Sequence, residues 1–395
     1  MHTTGSTVEP IGGLYEGVDL AAALEEARAR TLAVYGHLDL ATLEVPRLGI
    51  VNPPLWELSH IAWFQERWCH RFDAGKDRLV RDSMLPRADA LFDSSAVPHD
   101  SRWTLRYPPA AALRGYMSAT LATTLERLPR ADSKSRYFFE LALLHEDMHG
   151  EALLMTLQTL GLPAPKMPEP LAPSPSSLRP ADMQLAGGDF LMGTSPGTAR
   201  FVFDNEKWAH PVKVAPFAIA NAPVTQGEWL AFVEDGGYAR RELWSGEGWS
   251  WRETEGAQAP LHWMRNGDRW AVRRFDRTEA LVPAVPMMHL SLHEAMAYCH
   301  WARRRLPTEV EWEFAAVHGL PGRGQVWEWT ATPFAPYPGF AADPYEDYSR
   351  PWFHSHNVLR GGCFFTRRRL VHERFRNFYM PHRRDVFAGL RTCAL

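Results

Sequence analysis

The sequence predicts a chain of two parts: a bundle of four helices followed by an irregular α+β domain. Three observations carry that prediction. Residues 1–160 repeat Ala, Leu, Glu and Arg at helical spacing. Residues 161–180 hold seven prolines, which neither a regular helix nor a central strand accepts. Beyond them lie many glycines, most of the 16 tryptophans and only short strand-like runs. A length of 395 residues leaves room for two or three separate cores. The expected boundaries are a bundle over 1–162, a proline-rich linker over 163–181, and a second domain over 182–395.

The first helix is expected from Val18 to Leu38, with Leu20, Leu24 and Ala27 along one face. Pro53-Pro54 opens a second helix, Leu55–Phe72, since proline suits a first helical turn. A third runs from about Pro109 to Leu128. Ser133 is the expected cap of a fourth, which runs to about Leu160 and stops at Gly161-Leu162-Pro163. Helices of this length imply antiparallel packing. In the second half only Ser291–Arg304 and Glu309–Val317 read clearly as helices.

Composition excludes several classes. Basic and acidic residues number 43 and 46, so no bulk charge draws the chain to nucleic acid or to an anionic membrane. At 45% hydrophobic residues the chain is too apolar for disorder, yet no apolar run reaches the ~18 residues of a membrane span. The Met-His-Thr-Thr-Gly start lacks the pattern of a signal peptide. Cys69, Cys299, Cys363 and Cys393 lie far apart with no CxxC pair, which argues against a disulfide framework and a cysteine zinc site. A reduced cytoplasm and small-molecule substrates are expected.

Chemistry concentrates in the histidines. His145 and His149, in Leu144-His145-Glu146-Asp147-Met148-His149-Gly150-Glu151, stand four apart and share one helix face. His60, in Trp56-Glu57-Leu58-Ser59-His60, lies on the second helix, which a bundle can bring opposite. Three neutral imidazoles would leave about one position open on zinc, or about three on iron(II). Glu151 falls ~200° around the helix from His149 and reads as a supporting carboxylate. Glu57, one turn before His60, offers a carboxylate-containing alternative. The competing reading is three polar-face histidines with no metal.

These histidines, in their helices, resemble the DinB-like bundle of the ergothioneine-biosynthesis sulfoxide synthases. The second half resembles a formylglycine-generating-enzyme, or sulfatase-modifying-factor, domain of C-type-lectin-like fold. Its matching blocks are Gly187–Gly193, Pro223-Val224-Thr225, Arg305–Glu313, Val326–Thr330, Leu359–Gly362 and Gly389-Leu390-Arg391. The cysteine pair of formylglycine-generating enzymes is missing, because Cys363 has no second cysteine until Cys393. The resemblance implies that His60, His145 and His149 bind non-haem iron(II), with molecular oxygen as co-substrate. It implies bond formation between a chalcogen donor and imidazole C2 of hercynine, the trimethylated betaine of histidine. It places Asn377, Phe378 and Tyr379 at the hercynine and leaves Tyr345, Tyr348 and Tyr379 as candidate proton donors.

Three departures point to a branch. Met148 stands where the ergothioneine enzymes often carry a hercynine-contacting Gln. Asn377-Phe378-Tyr379 replaces an Asn-Trp-Asp motif. The donor stretch, with Asp93, Ser94, Ser95 and Arg102, is thin in the bidentate arginines that carboxylate recognition uses. Short hydroxyl and acidic groups suit a sugar, and the Pro-Pro-Leu-Trp-Glu-Leu-Ser-His and Asp-Ser-Ser-Ala-Val segments resemble those of selenoneine synthases. The expectation is therefore C–Se bond formation from a selenosugar. The alternatives are C–S formation from γ-glutamylcysteine or cysteine, a zinc-dependent thiol transferase, and a non-catalytic betaine-binding module.

Overall fold

A computed structural model describes residues 19–198 and 200–395. The Met-His-Thr-Thr-Gly start and Val18 lie outside the described residues. The N-terminal part contains α1 (Leu20–Tyr35), α2 (Pro54–Glu66), the short α3 (Ala88–Phe92), α4 (Ala110–Arg127) and α5 (Ser133–Leu160). Asp19 caps α1 by accepting from the amides of Ala21 and Ala22. The cap of α5 is Asp132, which accepts from the Ser135 amide, and not the expected Ser133. A carboxylate one residue earlier outcompetes the hydroxyl because it already has the extended backbone of a cap. Gly161 ends α5 at φ 66°, and the Leu162 amide turns back to the Leu157 carbonyl at 3.0 Å.

Helix α2 also ends earlier than expected. Its α-form stops at Glu66, and Arg67–Arg71 continue as one wider π-turn before Phe72 turns extended. Helix α5 packs on α1 and α2, and α2 packs on α4. Leu24, Ala62, Leu143, Leu153, Leu154 and Leu157 are fully buried between them. Nearly all of α2 is inaccessible, including Glu57, Ser59 and His60. That is the position from which polar groups can build an internal site.

Residues 162–181 form no helix or strand. Beyond them lie α6 (Gln226–Glu234), α7 (Gly246–Glu255), α8 (Leu292–Trp301) and α9 (Glu309–Val317), two more helices than the sequence suggested. A four-stranded sheet runs in the order Asn377–Tyr379, Asn357–Arg360, Trp327–Pro333, Ala388–Leu390. The last pair is parallel and the others antiparallel. Register Val358↔Phe378 and Leu359↔Asn377 puts the Asn377–Tyr379 segment at the sheet edge.

Buried ion pairs knit the sequence blocks of this half together. Arg391 forks onto Glu328 at 2.9 Å for both bonds, and the Trp312 indole donates to the same carboxylate at 2.7 Å. Arg360 reaches Glu313 at 2.5 Å, and Arg376 reaches Glu309 at 2.6 Å. Breaking one such buried pair would cost about 3–5 kcal/mol, because the other charge would stay buried.

The two halves share one continuous apolar core. Polar ties cross between them at α5 and α1. Trp327 Nε1 donates to Glu151 at 2.6 Å, and Thr366 Oγ1 donates to the same carboxylate at 2.5 Å. Arg30 Nη2 donates to the Phe365 carbonyl at 2.6 Å. Helix α5 is therefore fixed on one side by the bundle and on the other by the sheet domain. Among the described residues no helix is long and apolar enough to cross a membrane, and all four cysteines are free and buried.

Candidate metal centre

His60 from α2 and His145 and His149 from α5 converge, one ring nitrogen of each lying within 4.8 Å of the others. Each ring is oriented by a different device. His60 Nδ1 donates to the Phe92 carbonyl at 2.8 Å, which turns Nε2 inward. His149 Nδ1 lies 2.9 Å from Glu57 Oε1, with the same consequence. His145 Nδ1 is buried without a hydrogen-bond partner, and its ring lies flat on Phe64, centroids 3.6 Å apart and planes 5° apart.

Burial lowers the pKa of His60 to about 3 and that of His145 well below the ordinary value, with neighbouring His149 adding to both shifts. Neutral imidazoles with free, converging nitrogens are what a divalent metal takes up. The donor set therefore fits a divalent metal of intermediate softness, with three protein ligands and further coordination positions to spare.

The supporting residues come into focus as well. Glu57, raised above as an alternative ligand, instead bonds the outer nitrogen of His149. Glu151 points away from the triad and serves as the tie to Trp327 and Thr366, as its place on the helix required. Trp56, His60 and Phe64 form a stripe at i, i+4 and i+8, with Trp56 and His60 parallel at 5.1 Å. That spacing was readable in the sequence and marks Trp56 and Phe64 as packing partners of the ligands.

The other expected site residues fall into three groups. Tyr345 stands edge-on to Phe64 at 4.9 Å and 6.5 Å from the His145 ring. Tyr348 directs its hydroxyl to Met148 Sδ at 3.8 Å and stacks on Phe203 at 4.3 Å. Burial raises the pKa of Tyr345, Tyr348 and Tyr379, so all three phenols keep their protons at neutral pH. On the sheet edge, Phe378 stacks on Phe334 at 4.0 Å, and Asn377 Oδ1 accepts the Phe378 amide at 2.9 Å. Tyr379 lies under the Arg383 guanidinium.

Asp93, Ser94 and Ser95 line a cavity of about 240 Å³ whose wall also includes Tyr345 and Phe64, the ring stacked on His145. Arg67, Glu346 and Asp347, which sequence reasoning did not single out, complete its polar wall. Arg67 stands 3.7 Å from Asp93. Arg102 is buried and donates to Asn52 Oδ1 at 2.6 Å and to the Val97 and Ser94 carbonyls at 3.2 and 3.4 Å.

Comparison with known proteins agrees with this layout. Residues 23–155 match the DinB superfamily, and residues 169–323 with 322–394 match the sulfatase-modifying factor enzyme 1-like domain. The chain is 32% identical to a hercynine oxygenase of Mycolicibacterium thermoresistibile, over 94% of both proteins. It is 33% identical to a hercynine oxygenase of Mycolicibacterium smegmatis, over 94% of this chain and 97% of that one. A formylglycine-generating enzyme of Streptomyces coelicolor is 34% identical but matches only 41% of this chain and 54% of its own length. With a histidine triad in a DinB-like bundle, a sulfatase-modifying-factor-like second domain and full-length relatives of one kind, the chain belongs to the hercynine oxygenase family.

Proposed function

We propose that this chain is a non-haem iron(II), oxygen-dependent enzyme that joins a chalcogen donor to imidazole C2 of hercynine. The observation that carries the reading is the triad: three converging histidines, two locked by outer hydrogen bonds, that leave about three positions open on iron(II). When bound there, the metal supplies the redox chemistry by which oxygen oxidises the imidazole–chalcogen pair. The chain's own residues hold the reactants. His60, His145 and His149 fix the metal, while Met148, Asn377, Phe378 and Tyr379 contact hercynine. Tyr345, whose ring lies 6.5 Å from that of His145, and Tyr348, whose hydroxyl meets Met148, keep their protons and are the phenols we propose to deliver one. Holding both partners at one metal converts a bimolecular encounter into an oriented one. Unpaired buried cysteines fit a reducing compartment, and a cytoplasmic location is part of the proposal.

The wall of the 240 Å³ cavity favours a neutral, hydroxyl-rich donor, of which a selenosugar is the case we propose. Its three carboxylates, Asp93, Glu346 and Asp347, face one lining guanidinium, Arg67, which already stands near Asp93; Glu346 also reaches outward to Arg350 at 3.2 Å. A donor with two carboxylates would meet repulsion and lack a bidentate arginine clamp. A second reading, C–S formation from γ-glutamylcysteine or cysteine, is supported by the full-length relatives, which carry the hercynine oxygenase name. In that reading thiol, hercynine C2–H and O2 give the sulfoxide and one water.

A competition assay decides between the donors. Iron-loaded protein is given hercynine, oxygen, a 1-selenosugar, cysteine and γ-glutamylcysteine together. Preferential consumption of the selenosugar supports the first reading, and equal or faster use of γ-glutamylcysteine establishes the second. Zinc retention with thiol transfer and no oxygen uptake would make the chain a zinc thiol transferase. Hercynine binding with neither metal nor turnover would make it a betaine-binding module.

A further inference from the structure

We propose that Arg102 is a positioning residue for the metal ligand His60, acting through the Trp56 ring and the 91–97 segment, and does not grip the donor. The inference rests on the metal reading of the triad.

The geometry is a bracket. Helix α3 ends at Phe92, and its last two carbonyls are both acceptors for α2. Leu91 O takes the Trp56 indole N–H at 2.7 Å, and Phe92 O takes the His60 imidazole N–H at 2.8 Å. The two donors sit one turn apart on α2, with rings 5.1 Å apart and 6° from parallel. Any shift of α3 along α2 therefore moves Trp56 and His60 together.

Arg102 closes the bracket. Its guanidinium lies 3.9 Å over the Trp56 ring, the same indole that stacks on His60. The same fork holds the carbonyls of Ser94 and Val97 in the segment that leaves α3, and its other arm is anchored on Asn52 just before α2. These bonds come from Nη1 and Nη2, Nε is buried without a partner, and little of the side chain reaches solvent. Burial lowers its pKa, and the field of Glu57, the partner of His149, opposes that shift. A guanidinium buried this deeply offers little accessible edge to a substrate carboxylate. It ties the carbonyl that orients His60 to the loop that carries Asp93, Ser94 and Ser95.

The test uses the full chain, with Co(II) alone as the probe, read by titration and by its ligand-field absorption. Supporting partners of metal-bound histidines are worth about 10–100-fold in affinity. Arg102→Met is expected to weaken Co(II) binding about tenfold and to shift the absorption bands. Trp56→Phe is expected to do the same, and the double variant to fall short of the product of the two single effects. Wild-type affinity and spectrum in Arg102→Met, or fully multiplicative effects in the double variant, would overturn the proposal. Should Arg102→Met not fold, Asn52→Ala removes only one acceptor of the fork. A smaller loss of Co(II) affinity then supports the proposal, and none overturns it. Failure of the wild-type chain to bind Co(II) would remove the metal reading itself, a result distinguishable from both.

Discussion

Glu57 is the group whose removal most sharply tests how the metal site is held. Its Oε1 lies 2.9 Å from His149 Nδ1, and the carboxylate is almost fully buried on α2. The bond fixes His149 in the tautomer that presents Nε2, and it opposes rotation of a ring that is itself partly accessible. A hydrogen bond to a charged acceptor contributes about 1.5–3 kcal/mol, roughly twice a neutral one. Glu57→Gln keeps the shape and an acceptor oxygen but loses the charge, so metal affinity should fall about tenfold, or ~1.4 kcal/mol. Glu57→Leu removes the acceptor and should cost closer to 100-fold. Competition with a chelator of known affinity under anaerobic conditions reads both values. The reasoning fails if Glu57→Leu binds metal as tightly as wild type, since the carboxylate would then not be holding the ligand.

Three further outcomes follow from the structure. Glu151→Ala leaves the buried Trp327 indole and the Thr366 hydroxyl without their acceptor and should lower stability by about 2 kcal/mol in urea unfolding. Glu151→Gln, which keeps the volume and one acceptor oxygen, should lose far less, and equal losses would show that the tie depends on the full carboxylate. Gly389→Ala puts a methyl group inside contact distance of the Met287 carbonyl in a fully buried strand, which should cost about 3 kcal/mol and lower Tm by several degrees. An unchanged Tm would mean that the strand shifts freely. Burial lowers the pKa of His289 to about 4, against ~6.5 when unfolded. Between those values the unfolded chain holds a proton the folded chain lacks, so stability falls as pH falls, by about 1.4 kcal/mol per pH unit. His289→Asn, which tolerates the residue's positive φ of 64°, should flatten that slope by about this amount in metal-free protein. An unchanged slope would place the pH dependence elsewhere.

What could be read from the sequence follows physical range. Helices α5 and α9 were legible to within a residue or two because periodicity, caps and breakers all act within a few positions. Helix α6 carried a readable signal too, the Thr225–Glu228 capping box after Pro223-Val224. Helix α7 did not, because Gly246 and Gly248 in its first turn mask its helical pattern. The sheet was illegible because its strands come from positions 327–390 in an order that only long-range pairing decides. The same division holds at the site. His145 and His149 announce themselves at i, i+4, whereas the Phe92 carbonyl that orients His60 and the Arg67, Glu346 and Asp347 wall arise only from tertiary packing. Buried pairs such as Arg391–Glu328 join blocks that the sequence shows only as separate motifs.

The central claim is that the histidine triad holds iron for an oxygen-dependent reaction of hercynine. Its most direct test is oxygen uptake by anaerobically iron-loaded protein, recorded with and without hercynine and a chalcogen donor. The account predicts about one iron per chain, uptake that requires both substrates, and loss of both iron and uptake in His145→Ala and His149→Ala. Full iron occupancy in those variants, or no hercynine-dependent uptake by the loaded wild-type chain, would contradict it.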